Sequence, residues 1–189
     1  MDNRLMLVLH VLVNNSGATW GESLDKYPDE AWSKLLTLNV QRVFTLTQKL
    51  VPMLQKGSKR DGVGRVINVS RIQPVRDDLI SDWIHQRCIR PRTRDLRILR
   101  VQSRSPPVSQ LEYSTNIRLS RHLASQLGPA ITVNTLALGP FRSKMMAATL
   151  DAFEEQIAGS LPMARIGKGE DVAGACLWLS SKAGEWVTG

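Results

Sequence analysis

Three short apolar runs, closed by turn residues and separated by helical stretches, leave this chain few folds to choose from. The first covers residues 8–13 (VLHVLV) and ends in Asn14-Asn15-Ser16-Gly17, residues suited to a turn. It does not alternate apolar with polar, so it reads as a buried parallel strand with both faces covered. Gly64-Arg65-Val66-Ile67-Asn68-Val69 reads as a second buried strand. Ile131-Thr132-Val133-Asn134-Thr135-Leu136-Ala137 is a third, rich in β-branched residues and followed by the turn Gly139-Pro140.

Helical patterns fill the gaps. Pro28-Asp29-Glu30 opens one, since Pro is tolerated in a first turn and acids favour the positive end of the helix dipole. Trp32, Leu35, Leu36, Val40, Val43 and Phe44, then Leu50, Val51 and Leu54, recur at three- and four-residue steps, interrupted by Asn39. Gly57 to Gly64 reads as a polar loop. Leu119 to Leu127 is amphipathic and stops at Gly128-Pro129. Further helices are predicted at 145–160 and 170–181, the latter opened by Glu170 and Asp171. Strands alternating with helices imply an α/β fold, a Rossmann-type doubly wound parallel sheet with right-handed crossovers, in one domain over 1–189.

Composition narrows the function. Two cysteines (Cys88, Cys176) and three scattered histidines (His10, His85, His122) make neither a disulfide framework nor a metal site, and a reducing compartment is expected. Leu5 to Val13 could be a signal-peptide core, but its flank is only weakly basic, and a strand is the expected reading. No apolar run reaches the length of a membrane span, so the chain is expected to be cytoplasmic with no membrane partner.

The net charge of +8 is unevenly spread: residues 71–118 hold ten Arg, no Lys and five acids, hence +5 of it. This stretch reads as an aberrant Arg-rich insert, disordered or irregular. Arg87, Arg90, Arg92, Arg94, Arg97, Arg100 and Arg104 could neutralise phosphates. They lack aromatic interleaving and any nucleic-acid motif, so nucleic-acid binding stays an alternative and no such partner is expected.

Over about residues 8–70 and 119–189 the chain resembles the short-chain dehydrogenase/reductase family, in its 3-oxoacyl-[acyl-carrier-protein] reductase-like branch. Asn14-Asn15-Ser16-Gly17 is similar to the family's Asn-Asn-Ala-Gly, and Leu38-Asn39-Val40 holds an asparagine like the family's helix asparagine. Gly64 to Val69 resembles the strand leading to the family's catalytic serine. Ile131-Thr132-Val133-Asn134 and Gly139-Pro140-Phe141-Arg142-Ser143 resemble the strand and loop that hold the nicotinamide, with Leu138 where the family usually has Pro. Arg165-Ile166-Gly167-Lys168-Gly169-Glu170-Asp171-Val172-Ala173 is similar to Arg-x-Gly-x-Pro-Glu-Asp-Val-Ala, with Gly169 for Pro.

The resemblance implies an NAD(P)-dependent oxidoreductase reducing a carbonyl or oxidising an alcohol, 3-oxoacyl thioesters included, with NADP slightly preferred over NAD. Asn14, Asn15, Ser16, Gly17, Gly139, Pro140, Phe141 and Ser143 become cofactor-binding candidates. Asn39 becomes a catalytic candidate, whose backbone in the family orders a water linking the catalytic Lys to solvent. The helix 40–54 becomes a homo-oligomer interface. The resemblance also marks the sheet as incomplete. Nothing before Val8 supplies the family's first strands and their glycine-rich pyrophosphate turn, and the chain stops at Gly189 where the family continues into a last strand.

The family's chemistry needs a Tyr whose phenol is made more acidic by a Lys four residues on, and a Ser on the substrate oxygen. Here the serine position falls on Arg71, with Ser70 one residue early. Tyr113-Ser114 opens like Tyr-Ser-x-x-Lys, but Ile117 stands where the Lys belongs. Ser70 and Tyr113 are therefore weak catalytic candidates. The chain as written is expected to be inactive, or a catalytically dead relative that pairs through helix 40–54.

The insert suggests why. Residues 88–103 (CIRPRTRDLRILRVQS) can be encoded so that reading one base later gives Ala-Ser-Ala-Pro-Ala-Leu-Glu-Thr-Tyr-Ala-Tyr-Ser-Ala-Ser-Lys-Ala, the family's missing active-site segment. Val69-Ser70 and Val108-Ser109 can each be GTGAGT, a usual intron start. His85-Gln86 can end in CAG, and Thr115 to Arg118 can be a branch point with its acceptor. The hypothesis is that residues 71–118 translate unspliced or misassigned introns around an out-of-frame exon, and that the poor N-terminus has a similar origin. Sequencing the spliced transcript is expected to restore Tyr-Ser-Ala-Ser-Lys in frame; a messenger encoding 71–118 as written sinks the idea.

Overall fold

The computed structural model describes residues 7–71 and 107–189, apart from positions 21, 23 and 145. The stretch 88–103, and all of the Arg-rich insert from 72 to 106, lie outside the described residues. The elements run in the order strand β1 (Val11–Asn14), helix α1 (Asp29–Leu36), a π-helical turn (Thr37–Gln41), α2 (Arg42–Asp61), β2 (Gly64–Arg71), α3 (Pro107–Leu127), β3 (Ile131–Leu138), α4 (Ala147–Gly159) and α5 (Gly169–Ser180). Short 3-10 turns at Leu24–Lys26 and Lys182–Gly184 complete the list of described elements.

The three strands form a parallel sheet in the order β1-β2-β3. Helices α2 and α3 cover one face. On the other face α5 meets β2 and β3, and Arg65 reaches from β2 to donate to the Ser181 carbonyl just past α5, at 3.1 Å. The fold is α/β and doubly wound, as the strand–helix alternation requires.

Three readings of local structure change. The β1 run begins at Val11 and alternates: Leu12 and Asn14 are buried while Val13 is 45% exposed, so one of its faces is open among the described residues. Gly57 to Asp61 is helix rather than loop, and Leu9 packs so close to it that a Cβ on Gly57 would lie 2.4 Å from the Leu9 carbonyl oxygen. The helix ends where Gly62 adopts φ +102, a conformation that glycine takes without steric cost. Finally, α3 starts at Pro107, so residues 107–118 of the segment read as irregular are helical, with Pro in the first turn where it costs no hydrogen bond.

Because side chains alternate across a strand, the register aligns equivalent positions into rungs. Leu12, Val66 and Val133 stand opposite one another and form an apolar rung. With Leu54, Leu123, Ala124 and Ile131 they make the core under α2 and α3. Two residues nearer the carboxyl ends, the same face carries Asn14, Asn68 and Thr135. Asn14 Nδ2 donates to Asn68 Oδ1 (2.8 Å) and to Thr47 Oγ1 of α2 (3.2 Å). Asn68 Nδ2 donates to Ser120 Oγ of α3 (2.8 Å), and Thr135 Oγ1 donates to the same oxygen (2.7 Å). A polar rung therefore lies directly above the apolar one and ties all three strands to both helices.

Asn14, Thr47, Asn68 and Ser120 are removed from water, so leaving one unmatched costs its desolvation. Asn68→Ala strands the Asn14 amide and one lone pair of Ser120. It is expected to lower stability by about 1–3 kcal/mol, read from urea unfolding followed by circular dichroism; a loss within experimental scatter rejects the rung as a structural tie.

Candidate functional site

Parallel strands put all their carboxyl ends on one edge, where open α/β sheets bind their ligands. That edge carries Asn15-Ser16-Gly17 after β1, Ser70 and Arg71 at the end of β2, and the loop Gly139 to Ser143 after β3. Asn15, Ser16 and Gly17 are exposed there. Asn14, in contrast, is only 8% exposed and its amide is committed to the polar rung, so it supports this edge from beneath rather than lining it.

Asn39 lies in the π-helical turn. A π turn inserts an extra residue into the helical ladder, and such single turns recur at functional sites. Its Oδ1 accepts from the Ala18 backbone N–H (3.0 Å) and its Nδ2 donates to the Ala18 carbonyl (2.8 Å). This two-point clamp fixes the segment after Gly17, where an added Cβ would sit 3.3 Å from Asn39 Oδ1. The Asn39 that breaks the apolar periodicity is thus the residue that joins the helix to the strand end.

The loop after β3 is braced from the far side. Phe141 pairs with Gly167 in a parallel bridge, and the Gly167 N–H donates to the Pro140 carbonyl (3.0 Å). The Phe141 ring presses so close that a Cβ on Gly167 would lie 2.3 Å from it. Arg165 then pairs with Asp171 at 2.7 and 2.9 Å, while the Lys168 N–H donates to the same carboxylate at 2.8 Å. The guanidinium and that backbone amide hold the Asp171 carboxyl well below the usual carboxylate range. This interaction is therefore present above the ordinary Asp titration and is lost only as the pH falls through the lowered value. Around Gly139 itself there is open space: no atom comes within 4 Å of an added Cβ. Ser143, at the loop's end, is half-buried, and its carbonyl accepts from the Met146 N–H at 3.0 Å.

Ser70 is buried on β2 opposite Ala137. Tyr113 is half-buried on α3 and borders an open hollow of about 500 Å³ with Ser114, Ile117, Arg118 and Arg121. Neither Ser70, Asn39 nor the Gly139 to Ser143 loop lines that hollow, so the two weak catalytic candidates do not share one cavity. One turn on from Tyr113 the side chain is the apolar Ile117, not an ammonium.

Sequence reasoning passed over Thr47, Asn68, Ser120 and Thr135, which hold the strand ends. The signal available was the even spacing that puts Asn68 on the face of Val66, and Thr135 on the face of Val133, within their strands. Gly167, the seat of the Phe141 ring, was read only as one letter of a motif. Among the described residues no three of His, Cys, Asp and Glu gather as a metal site, and no helix is long and apolar enough to cross a membrane.

Comparison with known proteins places this geometry among relatives. Residues 3–75 match the family model described as short chain dehydrogenase, and residues 115–189 match that described as Enoyl-(Acyl carrier protein) reductase. The chain is 34% identical over 185 residues to the rhamnolipids biosynthesis 3-oxoacyl-[acyl-carrier-protein] reductase of Pseudomonas aeruginosa, across 96% of this chain and 62% of that protein. Among solved structures it is similar to the Pseudomonas aeruginosa RhlG/NADP active-site complex, with a TM-score of 0.76, 29% identity and coverage of 96% and 62%. A 3-ketoacyl-(acyl-carrier-protein) reductase from Brucella melitensis complexed with NADH shares the fold at a TM-score of 0.69 and 20% identity, covering 96% of this chain and 63% of that one. The chain thus spans about 62% of the length of the relatives it matches.

Proposed function

We propose that this chain, which belongs to the short-chain dehydrogenase/reductase family, carries the nicotinamide-holding half of an NAD(P)-dependent oxidoreductase and lacks the proton chemistry that would complete it. The reaction type is reduction of a carbonyl or oxidation of an alcohol, with 3-oxoacyl thioesters as the substrate class and NADP slightly preferred. The observation that carries the reading is the convergence of Asn15-Ser16-Gly17, Ser70 and the Gly139 to Ser143 loop on one carboxyl edge. The names of the relatives support the substrate class, and the NADP in the RhlG complex supports the cofactor preference.

The residues present fit one end of the dinucleotide. Open space at Gly139 lets a flat carboxamide approach the backbone, and Ser143 can hydrogen-bond it. Asn15 to Gly17 wall the opposite side, while Asn14 and Asn39 act indirectly, by holding that wall in place. The bound nicotinamide would supply or accept the hydride. No described residue set supplies a glycine-rich turn at a helix N-terminus for the pyrophosphate. On the proton side, Ile117 and not a Lys stands four residues on from Tyr113, so that spacing offers no ammonium to assist proton transfer.

Incubating the chain with NADPH and a 3-oxoacyl thioester is expected to leave absorbance at the reduced nicotinamide band unchanged. Amide resonances of Gly17, Gly139 and Phe141 are expected to shift with added NADPH. Steady oxidation of NADPH overturns the inactive reading, and shifts confined to other parts of the chain overturn the cradle.

Pairing through helix 40–54 is the second reading, favoured by Phe44 and Leu46, which are 39% and 46% exposed on α2. Sedimentation should show a dimer that Phe44→Asp with Leu46→Asp converts to monomer; a native chain sedimenting as a monomer removes this reading.

A further inference from the structure

The helix α4 is lightly anchored. Leu150 is its only buried residue, and the backbone inside it turns non-helical at Phe153 (φ −139, ψ 21), whose side chain is 56% exposed. Its start is joined to the preceding loop by the Met146 N–H donating to the Ser143 carbonyl at 3.0 Å. Beyond the kink a different contact takes over. Arg142, from the loop after β3, donates through Nη1 to Asp151 Oδ1 at 2.9 Å and through Nη2 to Glu154 Oε2. The two carboxylates lie on either side of Phe153, so one guanidinium spans the kink and both halves of the helix. Arg142, Asp151, Glu154 and Glu155 share the lining of one open hollow of about 540 Å³ with Leu150.

We propose that Arg142 is an ionic latch that holds both halves of the kinked helix α4 against the loop Gly139 to Ser143, and that breaking it lets the helix open locally about Leu150. The two terminal nitrogens of the guanidinium are held apart in one rigid plane, so each meets its own carboxylate without reorientation, and Arg suits the position. The three side chains stay between 45% and 65% exposed. Exposed ion pairs are individually weak and screened by salt. That weakness suits a latch, since segments that open locally are drawn from the least stable parts of a structure. Leu150 stays as the pivot when the charges separate.

Hydrogen exchange of the whole chain, followed by mass spectrometry on peptides spanning 147–159, reads the latch without cofactor or turnover. Its outcome is therefore separable from that of the proposed activity. Raising NaCl from about 0.05 to about 1 M shortens the Debye length from more than 10 Å to about 3 Å. It is expected to speed exchange in this peptide about three- to five-fold, leaving peptides from β3 unchanged. Arg142→Gln should reach the fast rate at low salt and lose the salt dependence. Arg142→Glu combined with Asp151→Lys and Glu154→Lys should restore protection. Native-like exchange in Arg142→Gln at low salt overturns the latch. If that variant also exposes β3, it has lost its fold, and the native chain decides: exchange of 147–159 that ignores salt overturns the proposal as well.

Discussion

One hydrogen-bonded rung, Asn14–Asn68–Ser120–Thr135 with Thr47 at its end, underlies everything placed above it. It sits where the apolar core stops and the carboxyl edge of the sheet begins. An all-apolar core would leave helices free to slide, because dispersion contacts tolerate small displacements, whereas amide and hydroxyl groups buried without partners do not. The rung therefore sets where α2 and α3 rest on the sheet. Through α2 and its π turn, it also sets where Asn39 meets Ala18.

From that base the carboxyl edge is held at two points. Asn39 pins the chain after β1, and the Phe141 ring against Gly167 pins the loop after β3. Neither point touches the open space beside Gly139, so the edge is preformed and accessible at once. Both supports are local to the three strands and the helices that join them.

Most of the fold was legible because period and punctuation are local properties. The second and third runs emerged as β2 and β3, and Glu170-Asp171 opened α5 as their charge favours. Where the reading slipped, the deciding contact came from distant sequence. Helix α2 runs on through Gly57, against which the Leu9 carbonyl packs, and residues 107–118 of the segment read as irregular are helical. Asn14 was grouped with its exposed neighbours by motif, yet strand alternation turns it inward.

By itself, then, the sequence determined the kind of sheet, the order of its elements and the residue types at the strand ends, since these follow from hydrophobic period, turn chemistry and motif. Only the tertiary structure decided which polar residues meet: that Asn68 lies between Asn14 and Ser120, and that Arg142 reaches both Asp151 and Glu154. The reason is physical. A strand's period says which residues share a face, but the partner across the sheet is set by register and by helices packed from elsewhere in the chain, and no local pattern encodes that.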